Sequence, residues 1–188
     1  MKVAIFGRYY SVTTPESVET LFNFLENQGI EAYIETEFHK LINQEPHHIK
    51  DYHKYKTFTE LDTSFDLLVS IGGVGTILRA TMFVKDLGIP IIGINTGRLG
   101  FLATIQVNAI EKAIQDIIDG KYRISERSIL TVETSSKNKD IESLNFALNE
   151  ITVSRKNTTA MITIDTYLND EFLNSYWSDG LIVSTPTG

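Results

Sequence analysis

The segment Asp66-Leu67-Leu68-Val69-Ser70-Ile71-Gly72-Gly73-Val74-Gly75-Thr76 constrains this chain more than any other. An unbroken apolar run of this kind suits a strand covered on both faces. Three glycines then allow a sharp turn, and a helical stripe follows at Ile77, Leu78, Thr81, Met82 and Val84, ending near Gly88. Gly72, Gly73 and Gly75 have no Cβ, so the backbone can come close to a bulky anion. The helix behind them aims free N–H groups and the positive end of its dipole at the same place. Val74, at the centre of the turn, carries no donor, acceptor or charge.

The first hundred residues repeat this alternation. Lys2 to Gly7 is a short apolar strand. Thr13 or Thr14 caps a helix with Pro15 in its first turn, where a missing N–H costs little. Val18, Leu21, Phe22 and Leu25 recur at helical spacing, and Gly29 stands where a C′ residue belongs. Residues 32–34, 66–71 and 90–94 read as further strands. Strands alternating with helices imply a parallel sheet in an α/β layer fold.

The character changes beyond. An amphipathic helix at 109–118 is closed by Gly120. Runs at 129–134, 146–153, 161–168, 172–177 and 181–184 are rich in β-forming residues, with Asn169-Asp170 a hairpin turn. The expected architecture is therefore a parallel-sheet α/β domain over 1–100 and a β-rich, β-sandwich-like domain over 101–188, with no flexible linker and no internal repeat. Residues 35–62 are polar and hold all four histidines, His39, His47, His48 and His53. They read as an exposed, mobile loop. A metal site lacks ordered ligand spacing, and a lid over a ligand is an intermediate reading.

Composition narrows the function. The formal charge of −7 argues against a nucleic-acid partner, since such binders present a clustered basic face. There is no cysteine, hence no disulfide or thiolate chemistry. No signal peptide or membrane span is evident, so a cytoplasmic protein is expected. The glycine turn lacks the Lys-Ser/Thr of a P-loop, and Leu78 stands where a dinucleotide fingerprint needs its third glycine. A second cluster, Gly93-Ile94-Asn95-Thr96-Gly97-Arg98-Leu99-Gly100-Phe101-Leu102, follows the next strand. Both clusters thus lie at one carboxyl edge of the sheet, where open α/β sheets bind ligands.

The set GGxGT, GINTGRLGFL, Asn149-Glu150 and DGLIVSTPTG, in that order, resembles the NAD kinase family. The GGxGT element alone is shared with lipid kinases and phosphofructokinases. The resemblance implies that ATP, with magnesium or another divalent metal, gives its γ-phosphoryl group to the 2′-hydroxyl of the adenosine ribose of NAD, forming NADP. It implies an α/β domain followed by a β-rich domain, with the site between them, and a homo-oligomer, dimer or tetramer. It places Gly72, Gly73, Gly75 and Thr76 around ribose and phosphates, with Val74 where the family has the aspartate that acts as base.

By the same resemblance Arg79 reaches a phosphate, or is a solvated helix arginine. Phe101 lines the adenine region, or is a core residue. Asn149 and Glu150 hold the adenosine part of NAD. Asp179 lies near the nicotinamide half, or forms a plain Asp-Gly turn. Thr185 and Thr187 fall in a turn facing the nucleotide. Trp177 and Ala160 depart from the family, which often has Arg at the first position and His or Lys at the second. The family pattern continues past Gly188, so the β-rich domain is expected to be incomplete. Two alternatives stand beside the kinase: a catalytically dead NAD(P)-binding protein, and a lipid or sugar kinase sharing GGxGT.

Overall fold

Val3 and Ile5 are buried on one face of the first strand, β1 (Lys2–Gly7), and Ala4 and Phe6 on the other. That double burial sets the architecture: helices must cover both sides of the sheet. The computed structural model describes residues 1–8, 13–44, 50–97, 102, 105–139, 141, 145–157 and 159–188. The elements that follow β1 are α1 (Thr14–Asn27), β2 (Glu31–Glu35), α2 (Thr36–Gln44), β3 (Lys56–Phe58), β4 (Leu67–Gly72), α3 (Val74–Val84), β5 (Ile91–Asn95) and α4 (Ile110–Ile118). The five strands form one parallel sheet in the order β3-β2-β1-β4-β5.

On one face Val18, Leu21, Phe22 and Leu25 of α1, Phe38 and Ile42 of α2, and Ile110 and Ile114 of α4 pack on Val3, Ile5, Ile34, Val69 and Ile71. On the other, Ala80 and Val84 of α3 pack with Ala4, Phe6 and Leu68. Gly29 adopts φ +64° just past the α1 C-cap, as its position requires. Met82, expected on the buried stripe of α3, is 40% exposed, and Thr76 and Ala80 take up that face instead.

Residues 35–62 correct the loop expectation. They contain α2 and β3, and β3 pairs in parallel with β2. Phe38, Ile42 and Tyr52 are fully buried. The buried Glu35 carboxylate accepts the Phe38 amide at 2.8 Å and the Glu37 amide at 3.1 Å, capping α2 with a negative charge at its positive end. His39 Nε2 donates to the Tyr52 carbonyl at 2.9 Å, and its ring meets that of His53 edge-on. His47 and His48 lie outside the described residues. Among the described residues no group of three His, Cys, Asp or Glu could hold a metal.

The chain divides into two units, Met1–Ile124 and Ser125–Gly188. The first extends past the expected border at residue 100, because α4 lays Ile110 and Ile114 into the core beside α1. Among its described residues the second contains three antiparallel pairs. They are β6 (Leu130–Thr131) with β7 (Phe146–Ala147), β8 (Glu150–Ser154) with β11 (Gly180–Ser184), and β9 (Ile162–Leu168) with β10 (Glu171–Ser178). Asn169 and Asp170 form the β9–β10 turn with φ of +50° and +68°, a two-residue hairpin geometry. The expected strand at 129–134 shrinks to two residues, and that at 146–153 breaks at Leu148 and Asn149.

Candidate functional site

Strand order places one group of candidate residues within the first unit. From β1 the chain turns outward to β2, and from β4 it turns the other way to β5. The carboxyl ends of β1 and β4 therefore flank the switch point, where open α/β sheets leave a crevice for ligands. Arg8 N donates to the Ile71 carbonyl at 3.2 Å, placing Arg8 beside Gly72. Sequence reading passed over Arg8, because adjacency of β1 and β4 is not visible in the chain.

The turn itself is tightly specified. Gly72 has φ +152°, and a Cβ there would stand 2.2 Å from Thr76 Oγ1. Thr76 is buried, so it fixes the turn rather than facing solvent. Gly73 is the N-cap of α3, and nothing lies within 4 Å of the position of a Cβ on Gly73 or Gly75. Val74 is the first residue of α3 and has ordinary helical backbone, so a β-branched side chain is no strain there. No described group accepts the amides of Val74 and Gly75, the free donors every helix start leaves. Arg79 is exposed on α3.

At the neighbouring strand end, Asn95 Oδ1 accepts the Gly97 amide at 2.8 Å, and Thr96 N reaches the Gly72 carbonyl at 3.4 Å. Thr13 is the N-cap residue of α1, as expected, but its side chain does not bond the helix amides: its hydroxyl donates to the Thr96 carbonyl at 2.7 Å. A cavity of about 550 Å³ opens here, lined by Thr13, Glu16, Asn95, Thr96, Gly97 and Glu111. Phe101, and Arg98 to Gly100 before it, lie outside the described residues.

A separate group of candidate residues lies in the β-rich unit. Thr185 N donates to the Asn149 carbonyl at 2.8 Å, and Thr185 Oγ1 to the Leu148 carbonyl at 2.6 Å. Thr187 N donates to Thr185 Oγ1 at 3.0 Å, and Gly188 N to the Thr185 carbonyl at 3.2 Å. Asn149, Glu150, Thr185 and Thr187 are thus gathered in one place. Asn149 Oδ1 is buried, and no described group donates to it. Glu150 is exposed.

The remaining candidates stand apart. β8 pairs with β11 from Glu150 opposite Ser184 to Ser154 opposite Gly180, so Asp179 is at the far end of that ladder from Asn149. The separation is about 20 Å at roughly 3.4 Å per residue. Asp179 ion-pairs there with Arg155 at 3.3 Å. Trp177, on β10 opposite Thr163, is 75% exposed. Ala160 is exposed.

A five-stranded parallel sheet with a glycine turn at its switch point, followed by an antiparallel β-rich unit, defines an α/β protein with a ligand crevice at its carboxyl edge. Residues 3–122 match the ATP-NAD kinase N-terminal domain and residues 148–188 the ATP-NAD kinase C-terminal domain. The chain belongs to this family. It is 52% identical over 188 residues to the NAD kinase of Flavobacterium psychrophilum and 50% identical to that of Christiangramia forsetii. All of the chain aligns in both cases, spanning 64% of each relative's length.

Two solved structures share the fold. A yeast NADH kinase complexed with NADH superposes with a TM-score of 0.78 at 23% identity, over 100% of this chain and 58% of that one. An NAD kinase from Archaeoglobus fulgidus in complex with ATP gives 0.66 at 23% identity, over 98% and 60%. Family membership sets aside the lipid or sugar kinase drawn from GGxGT alone.

Proposed function

We propose that this protein is an NAD kinase, moving the γ-phosphoryl group of ATP to the 2′-hydroxyl of the adenosine ribose of NAD. The observation that carries this reading is the Asn149 and Glu150 pair, held against the 185–188 turn in a chain whose two halves match the two family domains. In this reading the amides of Val74 and Gly75 face phosphate oxygens, and Gly73 leaves room for them. Arg79 and Phe101 contribute to the phosphate and adenine regions. Asn149, Glu150 and Thr187 take the adenosine part of NAD. Ala160, Trp177 and Asp179 lie along the rest of the dinucleotide. Magnesium enters as the ATP complex, a substrate, because Mg²⁺ is commonly held through phosphates and water rather than a protein cage. The protein works in the cytoplasm as a homo-oligomer.

Phosphoryl transfer rests mainly on positioning and charge neutralisation. A base that accepts the alcohol proton adds roughly 10²–10⁴ in rate. Val74 has no lone pair, so the barrier stands about 3–5 kcal/mol above that of a protein with Asp at this place. Val74 therefore also supports a second reading, an NAD(P)-binding protein with little or no turnover. Calorimetry with NAD, run beside an assay of NADP formation from NAD and Mg-ATP, decides. Binding with slow turnover supports the kinase, and binding with none supports the second reading. Absence of NAD binding, or phosphorylation of diacylglycerol in place of NAD, contradicts both.

A further inference from the structure

The strand break at Leu148 and Asn149 has one physical cause. Successive carbonyls of a regular strand point to opposite sides. Here the carbonyls of Leu148 and Asn149 both converge on Thr185, one through its hydroxyl and the other through its amide. The backbone must bend to bring them together, and the bend falls between β7 and β8. It leaves Asn149 Oδ1 buried without a described donor. A buried acceptor in that state is costly unless an N–H or O–H arrives from elsewhere.

Thr185 itself is in no position to meet a ligand broadly. It is 6% exposed, and its hydroxyl already donates to Leu148 and accepts the Thr187 amide. Gly188 closes the same turn. A Cβ there would stand 2.6 Å from the Asn149 carbonyl oxygen and 3.1 Å from Glu150 Oε2.

We propose that Thr185 is a positioning residue, which sets Asn149 and Glu150 for the adenosine half of the dinucleotide without touching it. The inference rests on the reading of that pair as a dinucleotide site. Thr185→Val keeps the shape and removes the hydroxyl; Thr185→Ser keeps the hydroxyl. Calorimetry with NAD is expected to show about tenfold weaker binding for Thr185→Val, the size that follows when a buried acceptor loses its donor. Thr185→Ser is expected to bind within about twofold of the parent. The double variant Thr185→Val, Asn149→Ala is expected to lose clearly less than the sum of the two single losses, because the hydroxyl acts in part through the Asn149 bend.

Unchanged NAD affinity in Thr185→Val, or losses that simply add in the double variant, would overturn the proposal. Unchanged affinity in Asn149→Ala would instead overturn the dinucleotide reading beneath it. Hydrogen exchange on the unmutated protein gives a check that does not depend on any variant folding. The Thr187 amide is expected to be protected before NAD is added, and exchange at the unprotected rate would overturn the proposal.

Discussion

A Cβ on Gly72 would stand 2.2 Å from Thr76 Oγ1, so the side chain that buries the start of α3 and the glycine before it exclude each other's growth. Gly72→Ala would meet this clash and a φ of +152°, and is expected to cost at least about 2 kcal/mol. Gly73→Ala has φ −96° and open space around it, and is expected to cost less than about 1 kcal/mol. If phosphates approach Gly73, the second change weakens ATP binding while leaving stability nearly intact. Urea unfolding and ATP titration of both variants separate these effects. Equal stability losses would show that the turn is not specified as described.

Glu26 ties α1 to the segment before β3. Desolvation pushes its carboxyl up, but hydrogen bonds from Lys50, Lys54 and Tyr55 outweigh that and bring it from 4.5 to about 2. The folded value lies below the unfolded one. The contribution is therefore fully present above about pH 4.5 and is lost as pH falls toward 2. Glu26→Gln is expected to flatten the loss of stability over that window, measured as urea midpoints at a series of pH values. An unchanged acid slope would mean the cluster contributes nothing, the fate of many exposed ion pairs.

Ser70 is fully buried in β4, and no described group bonds its hydroxyl. Removing an unpaired buried hydroxyl sheds a desolvation cost without leaving a partner behind. Ser70→Ala is expected to fall within about 0.5 kcal/mol of the parent or to be more stable. A loss above about 1.5 kcal/mol in denaturant unfolding would contradict this and reveal a partner for the hydroxyl.

The legible parts of the fold were those where burial dictates residue type along an unbroken stretch. Val3 to Phe6 and Leu67 to Ile71 are buried on both faces, and the α1 stripe is fully buried, so apolar patterning alone marks them. Residues 35–62 defeat that logic. In α2 only Phe38 and Ile42 are buried, β3 is three residues long, and Tyr52 enters the core from a polar stretch. The α2 cap is a carboxylate, Glu35, outside the usual Ser, Thr, Asp or Asn. Asn149 and Glu150 were marked through the family resemblance, and Thr185 binds the carbonyls of Leu148 and Asn149. Arg8 did not stand out, and Thr13 stood out only as a helix cap, because their place beside the glycine turns depends on which strands and turns become neighbours.

Val74 is where the account is most exposed. It opens α3 with helical backbone beside the free Gly75 amide, and an aspartate there would suit both the helix dipole and a hydroxyl waiting to lose its proton. The direct measurement is NADP formation from NAD and Mg-ATP by the parent and by Val74→Asp, at matched concentration and confirmed folding. The account predicts a rise of at least about tenfold, and up to about 10⁴-fold if the base contributes fully. Equal rates in the two proteins would contradict the assignment of residue 74 as the place of the proton acceptor.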